Sequence, residues 1–201
     1  MSELMNRRAF NRLALAACMP AAIAAPAAVA EAEAESRAKR EMRVHRVPEL
    51  GLEIRVENEP PWDAQLMKGV SRPIFVAQSP ADYYPPAVFT YLSLQESPVP
   101  PDSLPTVAAT AIRRAAENYR VPGSQRMSLS PQPARYGVLE GHEASFEGWA
   151  NGEAVEVKVF VGHTPGRFPV AMQAYTLSQK LAHLKEPMRR AWTAVRYLAA
   201  G

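Results

Sequence analysis

Two histidines and a glutamate lie at the end of one predicted β-hairpin, where they could bind a divalent metal ion. His142 and His163 supply imidazoles and Glu143 supplies a carboxylate, and these are ligand types that zinc accepts. The hairpin would set His142 opposite Val161, two residues before His163. Glu143 points to the other face of its strand, which counts against a shared site. We therefore expect no metal and no cofactor, and keep a periplasmic metal- or cofactor-binding redox component as the alternative function.

A pair of glutamates further along the same hairpin could do acid–base chemistry. Glu147 is expected opposite Glu156, and two neighbouring carboxyl groups can raise a pKa. Because Lys158 is nearby, two solvated glutamates are the simpler interpretation. The sequence contains no G-x-S-x-G, H-E-x-x-H, C-x-x-C or G-x-x-x-x-G-K motif. We expect a protein that is not an enzyme, with an enzyme that uses another motif as a further alternative.

Binding without catalysis needs exposed aromatic side chains, and three candidates occur. Tyr83 and Tyr84 are adjacent in a proline-bounded loop, and Trp149 precedes a predicted turn. Aromatic anchors supply a large contact area at a low entropic cost. Alternatively, the two tyrosines divide between core and solvent, and Trp149 covers Ala154 across the hairpin. As binding residues, the three would hold an envelope protein or an apolar peptide segment.

Two adjacent arginines near the N-terminus predict export by the twin-arginine route. Arg7, Arg8 and Phe10 match the S/T-R-R-x-F-L-K pattern, and a charge-free, alanine-rich stretch follows. A small-x-small pattern predicts cleavage between Ala30 and Glu31. We therefore expect the mature protein in the periplasm.

The lone cysteine provides a second route to the envelope. Residues 15–18 fit a bacterial lipobox, which would attach a lipid to Cys18 and anchor the protein to the membrane. A membrane contact is expected only in that case. With one cysteine in the chain, no disulfide supports the fold, so its stability must come from the core.

The composition fits one globular domain behind the signal. The chain has 201 residues, of which 47% are hydrophobic and 21% charged. We expect a signal peptide over residues 1–30, a tether over 31–43 and a domain over 44–201. Residues 1–30 hold three of the 23 basic and one of the 20 acidic residues, so 20 basic and 19 acidic residues remain. The mature chain is nearly neutral, and no nucleic-acid partner is expected.

Two successive hairpins between residues 142 and 177 must position the candidate residues. Asn151-Gly152 is the preferred pair for a type I′ turn. Counting outward from this turn sets Phe146 opposite Val157. One face of the hairpin is then apolar.

The second hairpin follows from a predicted turn over residues 164–167, which contains Pro and Gly where a type II turn needs them. This turn sets Val161 opposite Val170. The middle strand is then apolar on one face toward both partners. The other face is mixed, and the aromatic residues expected on it are Trp149, Phe160 and Tyr175.

Apolar periodicity predicts further strands and two helices. A helix begins at Asp102 or Ser103 with an apolar stripe over 104–119, and a second helix carries a stripe over 188–198. The order of strands, helix, strands and helix favours an α+β domain with a single antiparallel sheet and packed helices. The predicted strands cover 52–56, 74–77 and 88–94, with short candidates at 127–129 and 136–139.

This order resembles the PsbP/DcrB-like family of small α/β/α sandwich proteins. The resemblance covers roughly residues 44–198. It rests on the strand Gly51-Leu52-Glu53-Ile54, on its closure by proline and Trp62, and on the order of hairpins and helices. Pro61 adjoins Trp62, whereas the family usually spaces the two by two residues. Its members are mostly non-catalytic, so the resemblance implies an exported, non-enzymatic accessory or binding protein of the bacterial cell envelope.

Overall fold

Antiparallel strands make up most of the computed structural model, which describes residues 42–68, 72–119 and 130–199. Within these ranges ten strands form two antiparallel sheets, and two α-helices pack against them. The α+β class is confirmed, with a second small sheet beside the expected main one. The helices are α1 (Leu104–Asn118) and α2 (Lys185–Thr193), and the strands are β1 (Met42–Val47), β2 (Leu52–Glu57), β3 (Asp63–Met67), β4 (Ile74–Gln78), β5 (Ala87–Ser93), β6 (Gln132–Tyr136), β7 (Leu139–Ala150), β8 (Glu153–His163), β9 (Val170–Leu177) and β10 (Arg196–Tyr197).

The main sheet joins two meanders. Its strand order is β3-β4-β5-β9-β8-β7-β6, so the meander β3 to β5 meets the meander β6 to β9 where β5 pairs with β9. The small sheet has the order β1-β2-β10. Both faces of the main sheet are therefore available for packing.

Helix α1 covers one face of the main sheet. Ser103 stands at its N-cap, and the apolar stripe predicted from the sequence is buried. Arg113, Arg114 and Glu117 are exposed on the opposite side of the helix. The prediction of this helix is confirmed, because its stripe recurs at the helical spacing and ends in a buried Tyr119.

The small sheet and α2 cover the other face. Trp192 and Met188 of α2 share a core with Phe160 of the main sheet and Ile54 of the small sheet. The predicted stripe over 188–198 continues past the helix, which ends at Thr193. The chain turns there because Arg196 and Tyr197 pair with β2, an interaction that local periodicity does not reveal.

The first hairpin has the predicted register. Asn151 and Gly152 take the positive φ values that a type I′ turn requires, 53° and 87°. Phe146 pairs with Val157, and the same count extends to Glu140 opposite His163. The turn alone determined this pairing.

The predicted register of the second hairpin is wrong by one residue. The turn exists, since the Arg167 N–H donates to the Thr164 carbonyl at 2.9 Å. Phe168 and Pro169 then intervene, and the Pro169 carbonyl accepts from the Leu94 N–H. Val161 therefore pairs with Ala171 and not with Val170.

This shift reverses the faces of β9. Tyr175 points toward α1, where its ring lies 5.5 Å from that of Tyr119. It does not share a face with Trp149 and Phe160. Phe160 instead pairs with Met172.

Several predicted boundaries also differ. Strand β1 begins at Met42, inside the predicted tether, and β3 had no clear signal. The strand predicted over 136–139 is instead the last residue of β6, a two-residue turn and the first residue of β7. The strand predicted over 127–129 lies outside the described residues.

Candidate binding surface

The three residues of the metal hypothesis do not converge. Glu143 accepts a hydrogen bond from the Tyr136 hydroxyl at 2.7 Å, and its other oxygen lies 2.7 Å from the Lys158 ammonium. His163 is buried, with its Nδ1 atom 3.3 Å from the Arg167 carbonyl. Across residues 42–68, 72–119 and 130–199, no three His, Cys, Asp or Glu side chains are placed to hold a metal ion.

Glu147 and Glu156 face each other as predicted, but each carboxylate has its own donor. The Ser178 hydroxyl donates to Glu147 at 3.0 Å, and the Leu181 N–H donates to Glu156 at 2.9 Å. These bonds attach the segment after β9 to the hairpin. The pair has a structural role at this position.

The adjacent tyrosines divide between core and solvent. Tyr83 is 5% exposed and makes an edge contact with Trp62 at 5.4 Å, whereas Tyr84 is 57% exposed. The expectation that Tyr83 is an exposed anchor does not hold. The Ser79 N–H donates to the Ala87 carbonyl, and the Ser79 hydroxyl accepts from the Ala87 N–H, each at 2.9 Å. These two bonds close the loop that contains both tyrosines.

A buried ion pair contacts this loop through Tyr83. The Tyr83 hydroxyl donates to Glu57 at 3.4 Å, and the other carboxylate oxygen of Glu57 is bound by Arg190 of α2. The Glu57 side chain is 1% exposed and that of Arg190 is 15% exposed. The pair therefore links β2, α2 and the loop that presents Tyr84.

Trp149 lies near the tip of the first hairpin and is 51% exposed. It pairs with Ala154 across the turn, and its backbone N–H donates to the Tyr119 carbonyl at 2.7 Å. Alternation along β7 places Trp149 on the same face as Glu147. Its position is fixed both by the strand and by the end of α1.

The segment after β9 brings the two exposed aromatic residues to one side of the molecule. Ser178 binds Glu147 and donates its N–H to the Ala154 carbonyl. Two residues later, the Lys180 ammonium lies 5.9 Å from the ring centroid of Tyr84, within the range of a cation–π contact. We call this surface the aromatic platform, made of Tyr84, Glu147, Trp149, Ser178 and Lys180.

The platform accounts for half of the large exposed apolar side chains. Four such side chains occur in the described part of the chain, and the other two, Val44 and Val138, lie away from it. The sequence indicated Tyr84 and Trp149 but not Ser178 or Lys180. Polar residues that follow a strand are too common to mark a site.

A cleft opens at the same end of the main sheet, on the face that carries α1. Its free space is about 450 Å³ with open solvent included, and its floor is mostly apolar. The sheet separates it from the platform. Its lining includes Val88, Val155, Tyr175 and Leu177.

The export residues lie outside the described part of the chain. They are Arg7, Arg8, Phe10, Cys18, Ala30 and Glu31, so the signal, its cleavage and the lipid attachment stay predictions. Among the described residues, neither helix has the length and apolar character needed to cross a membrane.

Comparison with known proteins establishes the fold and little else. No family model matches the chain, and no curated protein matches it. A solved structure from Bacteroides thetaiotaomicron superposes with a TM-score of 0.51 at 9% identity, covering 77% of this chain and 48% of that one. This chain thus spans about half the length of that protein.

LpqN, involved in cell envelope biogenesis of Mycobacterium tuberculosis, superposes with a TM-score of 0.42 at 15% identity. That alignment covers 82% of this chain and 94% of LpqN. Likenesses at this level of identity concern the backbone architecture. The function must be argued from the surface itself.

Proposed function

We propose that the protein is an exported, non-enzymatic binding protein of the bacterial cell envelope, which holds its partner on the aromatic platform. The observation that carries the proposal is the exposure of Tyr84 and Trp149 on one side of the molecule, with a polar strip between them. Large aromatic side chains dominate the energy of binding when a partner covers them. The paired arginines at positions 7 and 8 support export.

Both anchors are pre-organised. Trp149 is held by strand pairing and by Tyr119, and Tyr84 follows directly after a buried residue that is bound to Glu57. A backbone that is already in place loses little entropy when a partner binds. The backbone cost of presenting the two rings is therefore small.

Co-sedimentation with isolated envelopes of the native organism tests the proposal. We expect the mature protein beginning at Glu31 to sediment with the envelopes. Replacing Tyr84 or Trp149 by alanine should weaken this binding about tenfold or more, as loss of a central aromatic anchor does. Val138→Ala is the matched control, because Val138 is also exposed but stands at the opposite end of β7.

Melting temperatures separate binding from folding. Tyr84→Ala and Trp149→Ala should lower the melting temperature only slightly, as surface changes do. Equal envelope binding by the wild type and by stable variants of both anchors would place the interface elsewhere and refute the proposal.

A further inference from the structure

We infer that the outer face of the small sheet docks the protein on an anionic phospholipid surface. The side chains that would meet the lipid phosphates are three arginines grouped around a single glutamate, namely Arg46, Arg55 and Arg196 around Glu53. We call this surface the arginine face. It shares no residue with the aromatic platform, so the inference goes beyond the proposed function and does not rest on it.

Strand pairing brings the arginines to Glu53. Arg46 of β1 and Arg196 of β10 are both cross-strand partners of Glu53 in β2, and residues directly opposite each other share a face of the sheet. Arg55 is two residues along β2 from Glu53 and therefore lies on that face as well. Ile54, between them, points the other way into the core. The four charged residues thus occupy the outer face of the small sheet.

The arginines share one carboxylate and are more exposed than it is. The Arg46 Nε atom lies 3.7 Å from a Glu53 carboxylate oxygen, and the Arg55 Nη2 atom lies 3.3 Å from the other. The Glu53 side chain is 19% exposed, whereas those of Arg46 and Arg55 are 78% and 46% exposed. Arg196 donates to two backbone carbonyls just before it, each at 2.7 Å, which orders its guanidinium without neutralising it. Positive charge therefore exceeds negative charge where this face meets solvent.

A full count of charges extends the asymmetry to the whole layer. Residues 42–57 and 178–199 comprise the small sheet, α2 and the segments that lead into them; they hold eight basic and four acidic residues, a net charge of +4 with histidine neutral. The rest of the described residues hold seven basic and eleven acidic residues, a net charge of −4. Residues 31–41, which precede β1, hold three basic and four acidic residues. The described residues are neutral in total, but their positive charge is concentrated in the layer that carries the arginine face.

An array of phosphate headgroups fits this arrangement. Two strand spacings of about 4.8 Å separate the backbones of Arg46 and Arg196, and the face is an open sheet surface, so several phosphates can each meet an arginine. The guanidinium group pairs with phosphate through a rigid, bidentate fork. The more acidic main sheet lies behind the small sheet at about 10 Å. That distance is about one Debye length at 0.1 M salt, so the solvent weakens its repulsion from the membrane.

The path of the chain and the predicted export favour phospholipid over other polyanions. Strand β1 is the first strand of the described residues, so the predicted tether and Cys18 connect to the domain through the small sheet. Export would place the protein beside phospholipid and away from nucleic acid. The arginine face provides a membrane contact that does not require a lipid on Cys18.

Co-sedimentation with lipid vesicles tests the inference. The probe is a vesicle made of equal parts of phosphatidylglycerol and phosphatidylcholine, compared with a vesicle of phosphatidylcholine alone. We expect the mature protein beginning at Glu31 to bind the anionic vesicles at least about tenfold more tightly than the neutral ones, because basic residues are attracted to anionic headgroups. Added salt should release the protein, because it screens this attraction.

Charge substitutions locate the contact. Replacing Arg46 and Arg55 together by glutamine should weaken binding to the anionic vesicles about 25-fold, since each basic residue near such a surface contributes about fivefold. The matched control replaces Arg113 and Arg114, which are exposed on α1 in the other layer; it removes the same charge and should change binding about twofold or less. Glu53→Gln removes the anion and keeps the arginines, so it should instead strengthen binding about fivefold. Circular dichroism of each variant ensures that only folded proteins are compared.

Three results would overturn the inference. One is equal binding to the two kinds of vesicle. Another is an equal loss of binding in the Arg113 and Arg114 control, which would reduce the effect to net charge. The third is tighter binding to a short DNA duplex than to the anionic vesicles in the same salt, which would assign the arginine face to nucleic acid. These results do not involve Tyr84 or Trp149, so the proposed function would remain.

Discussion

At the scale of single residues, the candidate surface depends on the contact between Glu57 and Arg190. Their ion pair is almost fully desolvated, and Glu57 also accepts a hydrogen bond from Tyr83. A second pair, Arg189 with Glu186, lies on the same helix, with side chains 57% and 54% exposed. Replacing each of the two adjacent arginines in turn therefore shows how much the burial of an ion pair, rather than its charge alone, contributes to stability.

Arg190→Met should reduce the free energy of unfolding by about 3–5 kcal/mol, because it removes the Arg190 guanidinium from a buried carboxylate. Arg189→Met should cost far less free energy of unfolding, since its pair with Glu186 is solvated and screened. Urea unfolding followed by circular dichroism measures both. Equal losses in the two variants would show that the Glu57 pair contributes no more than a surface pair.

At the scale of elements, α1 meets the main sheet through a cluster of aromatic rings. The Tyr119 ring lies 5.5 Å from Tyr175 and 6.2 Å from Phe146. Burial raises the pKa of Tyr175 to about 12 and holds the pKa of Tyr119 well above its ordinary value. The interface therefore favours the protonated phenols.

This interface predicts a loss of stability in alkaline solution. An unfolded tyrosine loses its proton near pH 10, whereas Tyr175 in the folded state keeps it to about pH 12. Its contribution is thus complete below pH 10 and is lost as the pH rises to about 12. Urea unfolding at pH 8 to 12 should show this fall, with a shallower slope for Tyr175→Phe. Identical slopes for the wild type and for Tyr175→Phe would show that Tyr175 does not cause the loss of stability.

The pairing of β7 with β8 depends on a close approach of two glycines. Gly141 pairs with Gly162, and a Cβ atom on Gly141 would lie 2.0 Å from the Val161 carbonyl oxygen. Gly152 in the turn has open space around the same position, although its φ is 87°. Substitutions at the two sites therefore distinguish the cost of steric overlap from the cost of an unfavourable backbone conformation.

Gly141→Ala should lower the free energy of unfolding by about 3 kcal/mol or more, because backbone atoms must shift. Gly152→Ala should cost about 1–2 kcal/mol for the left-handed conformation alone. Thermal unfolding of both variants measures the difference. A milder effect at Gly141 than at Gly152 would contradict the close approach.

At the scale of the whole molecule, the domain presents the aromatic platform at one end and is preceded by a predicted export signal. The platform is formed by the hairpin tip, the Tyr84 loop and the segment after β9, while Val138 lies at the far end of β7. The main core does not involve the platform side chains. The two aromatic side chains can therefore be replaced without opening the core, whereas Glu147 and Ser178 also attach the segment after β9 to the hairpin.

Replacing Arg7 and Arg8 by lysine should leave the precursor in the cytoplasm, because the twin-arginine pathway recognises the paired arginines. The wild-type mature chain should begin at Glu31, and its intact mass should show whether Cys18 is retained and carries a lipid. Fractionation and mass spectrometry are the measurements. Unchanged export of the double-lysine variant would rule out the twin-arginine assignment.

The sequence by itself determined the features that local chemistry specifies. Asn151-Gly152 favours the type I′ turn, which needs positive φ at both positions, so the register of the first hairpin follows from two residues. The apolar spacing of α1 specified its buried face in the same way. The α+β class followed from the order of such elements. Tyr84 and Trp149 were identifiable as candidates because of their residue type.

Only the tertiary structure decided what depends on residues distant in the chain. The register of β8 with β9 changed because Phe168 and Pro169 lie between the turn and β9, with Pro169 bonded to Leu94. Tyr83 is buried because its ring packs against Trp62 and its hydroxyl donates to Glu57. Tyr84 and Trp149 lie on one side because the segment after β9 contacts Glu147 on one flank and Tyr84 on the other. A short sequence window contains none of these partners, and therefore local patterns identified the aromatic residues but not the surface that they form.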